Sequence, residues 1–208
     1  MSGCGCDSVC SAPPPDPRYR RALWVALVLN AAMFGVELVA SFAAQSVSLL
    51  ADAVDFLADA ANYGVALFVL GLAPVWRSRT ALWKGWVMVG YGVFVLAKSA
   101  WQWAAGIVPE PVIMGWVSLL ALAVNVGVAA LLYAHRTGDA QARSVWLCSR
   151  NDALGNLAVL GAAGGVWATA HGWPDIAVAL LLAGLALSSG ASVIRHARAE
   201  LRGDQAVR

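Results

Sequence analysis

Four polar residues recur at helical spacing within the mostly apolar stretch 47–72. They are Asp52, Asp55, Asp59 and Asn62, and the intervals of 3, 4 and 3 place them on one stripe of an α-helix. A central aspartate costs about 2.5–3.5 kcal/mol on membrane insertion, so three of them require a compensating role. A polar stripe on a membrane helix therefore predicts a functional site. The alternative is a hydrogen-bonded seam between helices, which stacked carboxylates disfavour unless a proton or cation separates them.

A second polar stripe lies in the apolar span 144–170. Cys148, Asp152 and Asn156 are spaced i, i+4 and i+8, again on one face of a helix. Two helices that each offer a carboxylate and a second ligand one turn away could supply four ligands, which suits a tetrahedral divalent ion. Asp152 is the expected ligand of this stripe. Either Cys148 or Asn156 could be the fourth ligand. Asn156 stays an alternative because a buried cysteine is more often a small apolar side chain than a ligand.

The composition indicates an integral membrane protein. The chain has 208 residues, of which 60% are hydrophobic and 12% charged, and its mean hydropathy is +0.68. A soluble domain would carry about 25% charged residues. The net charge of +2 gives no reason to expect a nucleic-acid partner, because the charges are confined to short segments between apolar spans.

Six apolar spans predict the fold. Each reaches or approaches the ~20 residues that a helix needs to cross the hydrocarbon, and the short connections make neighbouring helices antiparallel. The fold class is therefore an all-α membrane protein, a bundle of six transmembrane helices. The spans run over 22–43, 47–72, 82–104, 112–134, 144–170 and 176–194, with connections expected at 74–79, 108–111, 135–143 and 172–175.

The basic residues predict the orientation of this bundle. All of the 14 lysines and arginines except Lys98 fall on one side of it, and the positive-inside rule places that side, with both termini, in the cytoplasm. We expect residues 1–19 to be a disordered cytoplasmic tail, residues 20–196 the six-helix transmembrane domain, and residues 197–208 a short cytoplasmic tail. The expected location is the cytoplasmic (inner) membrane of a bacterium, as a multi-pass protein.

The amino-terminal tail carries three cysteines and a proline run. The motif formed by Cys4, Cys6 and Cys10 is too short for a disulfide framework and has an odd number of cysteines. In the cytoplasm their thiols would stay reduced and could hold a soft metal ion. An inert extended tail is the alternative, since proline enforces a semi-rigid spacer.

Several motifs resemble those of the cation diffusion facilitator family, over about residues 20 to 196. The second-helix motif is fairly specific, and together with the fifth-helix motif and six spans the resemblance is strong. The matching segments are Asn30, Phe34 and Glu37 on the first helix, Ser46 to Asp59 on the second, Arg143 to Asn156 on the fifth, and Trp173-Pro174-Asp175 at the start of the sixth.

This resemblance implies a function. The family exports Zn²⁺ and related divalent ions such as Cd²⁺ and Co²⁺ from the cytoplasm in exchange for protons, usually as homodimers. Asp55 and Asp59 fall on its second-helix ligands, and Asp152 on its fifth-helix aspartate. No cofactor is implied beyond the transported metal. Cys148 stands where the family usually has histidine or aspartate, and we expect a short form without the cytoplasmic carboxyl-terminal domain.

Carboxylate chemistry suggests how such a protein would work. Crowded carboxylates in a low-dielectric site hold protons, and a divalent ion that needs ionised ligands releases them. Alternate exposure of the site to two compartments would then couple the exit of the metal ion to the entry of protons.

The competing interpretations are a passive divalent metal channel or uptake carrier, and an accessory membrane subunit. An enzyme is disfavoured, because Ser192 and His196 make only a superficial nucleophile and base pair at the cytoplasmic end.

Overall fold

The computed structural model describes residues 17–68, 74–133 and 140–206, with side chains described except at 66, 68, 74–78, 140–151 and 203–206. Cys4, Cys6 and Cys10 lie outside the described residues, so the prediction about the tail is not tested. Within the described ranges the chain forms six α-helices and no strand. They are α1 (Pro17–Ala44), α2 (Val47–Phe68), α3 (Pro74–Ala105), α4 (Pro111–Tyr133), α5 (Ala140–Thr169) and α6 (Trp173–Ala206).

Most of the helices extend beyond the apolar spans that predicted them. The segment 74–79 belongs to α3 rather than to a connection, and α6 begins at Trp173 rather than after residue 175. Similarly, α1 begins within the predicted amino-terminal tail, and α6 extends into the predicted carboxyl-terminal one as far as Ala206. Hydropathy marks only the part of a helix at hydrocarbon depth. Three helices also begin at a proline, whose fixed φ and missing N–H suit the first helical position.

Four of the six helices that the structure describes have the length and composition of membrane spans. Within the described residues, four stretches are long and apolar enough to cross a bilayer: Pro17–Ala44, Arg79–Ala105, Pro111–Tyr133 and Trp173–Arg202. The second helix, α2, carries three aspartates, and the side chains of α5 are described only from Asp152 onward. The chain is thus an all-α membrane protein, as its composition predicted.

Packing divides the bundle into three close helix pairs. The most extensive contacts join α3 to α6, α1 to α2, and α4 to α5. The second helix is the most connected, because it also contacts α3, α5 and α6. Neighbouring helices therefore cover α2 on several sides.

Small residues let α3 and α6 approach closely. A Cβ atom added to Gly85 would lie 2.7 Å from Ile194 Cγ1 and 3.1 Å from the carbonyl oxygen of Gly190. One added to Gly190 would in turn lie 3.1 Å from the carbonyl oxygen of Gly85. The two backbones meet at this crossing, as at other small-residue contacts between membrane helices.

We expect Gly85→Ala to destabilise the α3–α6 pair by about 1–3 kcal/mol, because the added methyl group overpacks the crossing. Gly90→Ala on the same helix is the matched control, since nothing lies within 4 Å of an added Cβ there. The control should gain up to about 1 kcal/mol from the better helix propensity of alanine. Thermal unfolding of the purified variants in detergent measures both. Equal effects of the two substitutions would contradict the close crossing.

A buried carboxylate joins the amino-terminal ends of α2 and α6. Asp175 accepts hydrogen bonds from the Ser46 hydroxyl at 2.7 Å and from the backbone N–H groups of Val47 at 2.9 Å and Ser48 at 3.0 Å. The side-chain amide of Gln102, near the end of α3, donates to it at 3.2 Å. Asp175 and Gln102 are both completely buried. We call this set of residues the Asp175 clamp.

The clamp completes the cap of α2. The first N–H groups of a helix have no partner within it, and they carry the positive end of the helix dipole. Ser46 satisfies one of them, because its Oγ accepts from the backbone N–H of Leu49 at 3.1 Å. Asp175 satisfies two more and supplies the negative charge that the dipole favours.

Candidate functional site

The predicted polar stripe of α2 lies inside the bundle. Asp52 and Asp59 are 1% and 7% exposed, and Asp55 and Asn62 are partly buried. The bundle surrounds this stripe because α2 contacts α1, α3, α5 and α6. Since unpaired buried carboxylates are costly, each of them must find a partner group, a proton or a cation.

The structure brings together the two aspartates that the sequence placed on separate helices. The carboxyl group of Asp59 on α2 lies close enough to that of Asp152 on α5 to interact directly with it. Asp55 lies within charge-interaction range of both. The Tyr63 hydroxyl, one turn along α2, donates to Asp59 Oδ2 at 3.1 Å and fixes the orientation of that carboxyl group.

The structure does not bring the two remaining predicted ligands, Cys148 and Asn156, into a described contact with the aspartates. Cys148 belongs to α5, but its side chain lies outside the described ones. Asn156, two turns further along α5, is completely buried, and neither atom of its amide has a hydrogen-bond partner in the described part of the chain. Among described side chains, no three of the types His, Cys, Asp and Glu are grouped closely enough to hold a metal ion. The described geometry is therefore an acidic contact between two helices, without a closed set of metal ligands.

A second pair of carboxyl groups lies nearer the outer end of the bundle, which is the end opposite the start of α1 and the end of α6. Glu37 on α1 is completely buried and lies beside Asp52 on α2. Neither carboxylate oxygen of Glu37 has a hydrogen-bond partner among the described atoms. Asp52 also faces α5, where a Cβ added to Gly155 would lie 3.8 Å from Asp52 Oδ1. Two carboxyl groups this close repel each other unless a proton or a cation lies between them.

On the inner side of the acidic contact, a lysine of α3 reaches α2. The Lys84 ammonium group donates a hydrogen bond to Asn62 Oδ1 and lies within charge-interaction range of Asp59. Lys84 was assigned from the sequence only to the basic face of the membrane. In the predicted span 82–104 it is only the third residue, whereas α3 begins at Pro74, so the sequence offers no signal of its contact with α2.

Sequence reasoning also missed the work of Asp175. The sequence identifies it only as part of a motif at the start of the sixth span, whereas its carboxylate caps a helix 128 residues away. Nothing local in the sequence identifies that partner, because the clamp depends on how the helix ends meet. Tyr63 was likewise missed, although its position four residues after Asp59 places it on the same stripe.

The fold and the site together define a class of protein. Buried acidic groups that face one another inside a bundle of membrane helices are typical of ion pathways and carriers. A family model described as the cation efflux transmembrane domain matches residues 23–201. The chain therefore belongs to the cation efflux family, a family of membrane transporters, and the resemblance to cation diffusion facilitators is confirmed. A comparison with individual curated proteins gives no match.

Proposed function

We propose that the chain exports a divalent metal cation, Zn²⁺ foremost and also Cd²⁺ or Co²⁺, from the cytoplasm in exchange for protons. The observation that carries this proposal is the contact between Asp59 of α2 and Asp152 of α5. A divalent cation can bridge two carboxyl groups that come from different helices. We place the protein in the inner membrane of a bacterium.

The ligands of the transported ion follow from the same contact. Asp55, Asp59 and Asp152 supply carboxylate oxygens, and the arriving cation draws them into one coordination sphere. Cys148 or Asn156 provides the fourth ligand. The buried amide of Asn156, which lacks a partner in the described part of the chain, supports its availability. The two alternatives differ in selectivity, because a thiolate favours softer ions than an amide oxygen does.

Proton exchange follows from the ionisation of these ligands. A divalent cation requires ionised carboxylates, so its binding releases the protons that they held. Because α2 packs mainly on α1 and α5 mainly on α4, a movement of one pair against the other would open and close the site. Each opening to the other side then allows protons to replace the metal ion.

Flux into proteoliposomes tests this proposal. We expect vesicles with an acidic lumen to take up Zn²⁺ faster than vesicles at equal pH, and to lose luminal protons as they do so. A gradient of one pH unit supplies about 1.4 kcal/mol for each proton exchanged. A metal-sensitive dye and a pH-sensitive dye inside the vesicles follow the two ions together, and a panel of metals gives the selectivity.

Protein-free vesicles under the same gradient are the control. Metal flux that ignores the pH gradient would contradict antiport and indicate a passive channel. Flux driven in the opposite sense, with metal moving alongside protons, would indicate an uptake carrier.

A further inference from the structure

We propose that Lys84 is an internal counter-charge that weakens metal binding at the Asp59–Asp152 contact. Its ammonium group lies on the inner side of the site, where its positive charge interacts with the same carboxylates that would bind the metal ion. This inference rests on the proposed function, since it takes Asp59 and Asp152 as metal ligands.

The environment of Lys84 separates it from most of the other described basic residues. The seven described arginines, at positions 18, 20, 21, 79, 195, 198 and 202, are exposed. Lys98, near the opposite end of α3, is partly buried, and its ammonium lies 4.9 Å from the ring centre of Trp101 and 6.0 Å from that of Phe42. Lys84 is also partly buried, but its ammonium lies among the polar groups of α2.

The hydrogen bond to Asn62 fixes where this charge acts. Asn62 lies one turn inward of Asp59 on the same stripe of α2, so a cation held there sits beside the carboxyl group. A metal ion that approaches from the inner end would meet this positive charge on that side of the site. Lysine suits this role, because its compact charge rides on a flexible four-carbon stem and can move aside.

The energetic consequence has a definite sign. Once the carboxyl groups have released their protons, a nearby positive charge stabilises the empty ionised site and repels a divalent cation that joins it. Repulsion inside a protein is screened less than at a surface. Lys84 therefore lowers the affinity of the site, so that metal is retained less tightly and can leave on the outer side.

Binding of Zn²⁺ to the purified full-length chain in detergent, with Cys4, Cys6 and Cys10 replaced by serine so that the tail thiols bind no metal, tests the inference. Isothermal titration calorimetry at several pH values separates proton release from metal binding. We expect Lys84→Met to tighten the Kd for Zn²⁺ by at least about tenfold, through the lost repulsion. Lys84→Arg keeps the charge and should stay within about threefold of the wild-type Kd. Lys98→Met is the matched control on the same helix and should leave the Kd unchanged, because that lysine lies at the other end of α3.

Lys84→Gln separates the charge from the hydrogen bond. Glutamine can still donate to Asn62 but carries no charge, so this variant should tighten binding as much as Lys84→Met does, and it carries the test if the methionine variant fails to fold. A purely structural role predicts weaker or unchanged binding in Lys84→Met and wild-type binding in Lys84→Gln. Unchanged or weaker binding in the glutamine variant would overturn the inference.

The proposed function fails in a distinguishable way. If Asp152→Ala binds Zn²⁺ as well as the wild type does, the assigned site is wrong and Lys84 loses its role with it. If Asp152→Ala loses binding while both neutral Lys84 variants bind as the wild type does, only the inference about Lys84 is overturned.

Discussion

Asp152→Ala and Asp59→Ala are each expected to reduce metal flux by at least about 100-fold, since even groups that only orient metal ligands cost about 10–100-fold when removed. Each substitution deletes one side of the contact between α2 and α5. Insertion into the membrane should not suffer, because removal of a central aspartate favours insertion by about 2.5–3.5 kcal/mol. Flux of the reconstituted variants, normalised to the amount of inserted protein, measures the effect.

Ser99→Ala is the control for this experiment. Ser99 is buried, but its hydroxyl donates to the Val95 carbonyl of its own helix at 2.8 Å, so the substitution removes a hydrogen bond within α3. The control should transport metal as the wild type does. Wild-type flux in well-inserted Asp59→Ala or Asp152→Ala would instead show that the transported ion does not use this contact.

Asp175→Ala is expected to cost the fold at least about 3 kcal/mol, because hydrogen bonds to a charged group contribute about 1.5–3 kcal/mol each and α2 alone loses two backbone hydrogen bonds. The substitution leaves two backbone N–H groups of α2, the Ser46 hydroxyl and the Gln102 amide without their acceptor. Asp175→Asn retains one acceptor oxygen and should lose less. Unfolding of the purified variants in detergent, by heat or by added denaturing detergent, measures the loss.

Glu110→Ala is the matched control, because Glu110 is an exposed acidic residue that also serves a helix start. Its Oε1 accepts from the backbone N–H of Val112 at 3.3 Å, at the beginning of α4. Loss of an exposed cap costs about 1 kcal/mol. If Asp175→Ala is no more destabilising than Glu110→Ala, the clamp stabilises the fold no better than a surface cap.

Much of the fold was predictable because the bilayer imposes a simple rule on sequence. Apolar runs of about 20 residues mark helices, and short connections make them antiparallel. The same rule explains the errors at the helix ends. Hydropathy does not identify helical residues that lie outside the hydrocarbon. It therefore predicts a connection where α3 begins and a tail where α6 ends.

The site was predictable to the level of helix faces and no further. The spacing of Asp55 and Asp59 gave the stripe on α2, and the structure places Asp152 of α5 against it. Periodicity describes one helix at a time, however. It could not show that Glu37 of α1 meets Asp52, or that Lys84 of α3 reaches Asn62, because those contacts depend on how helices rotate against each other.

The Asp175 clamp has a consequence for the order in which the chain assembles. At roughly 5–20 residues per second, a ribosome adds Asp175 about 6–26 s after Val47, which is 128 residues earlier. Throughout that interval the first turn of α2 enters the membrane without its acceptor. The helix that carries the proposed metal site is therefore capped in part by a residue of α6, and a nascent chain that stops after α5 lacks that acceptor.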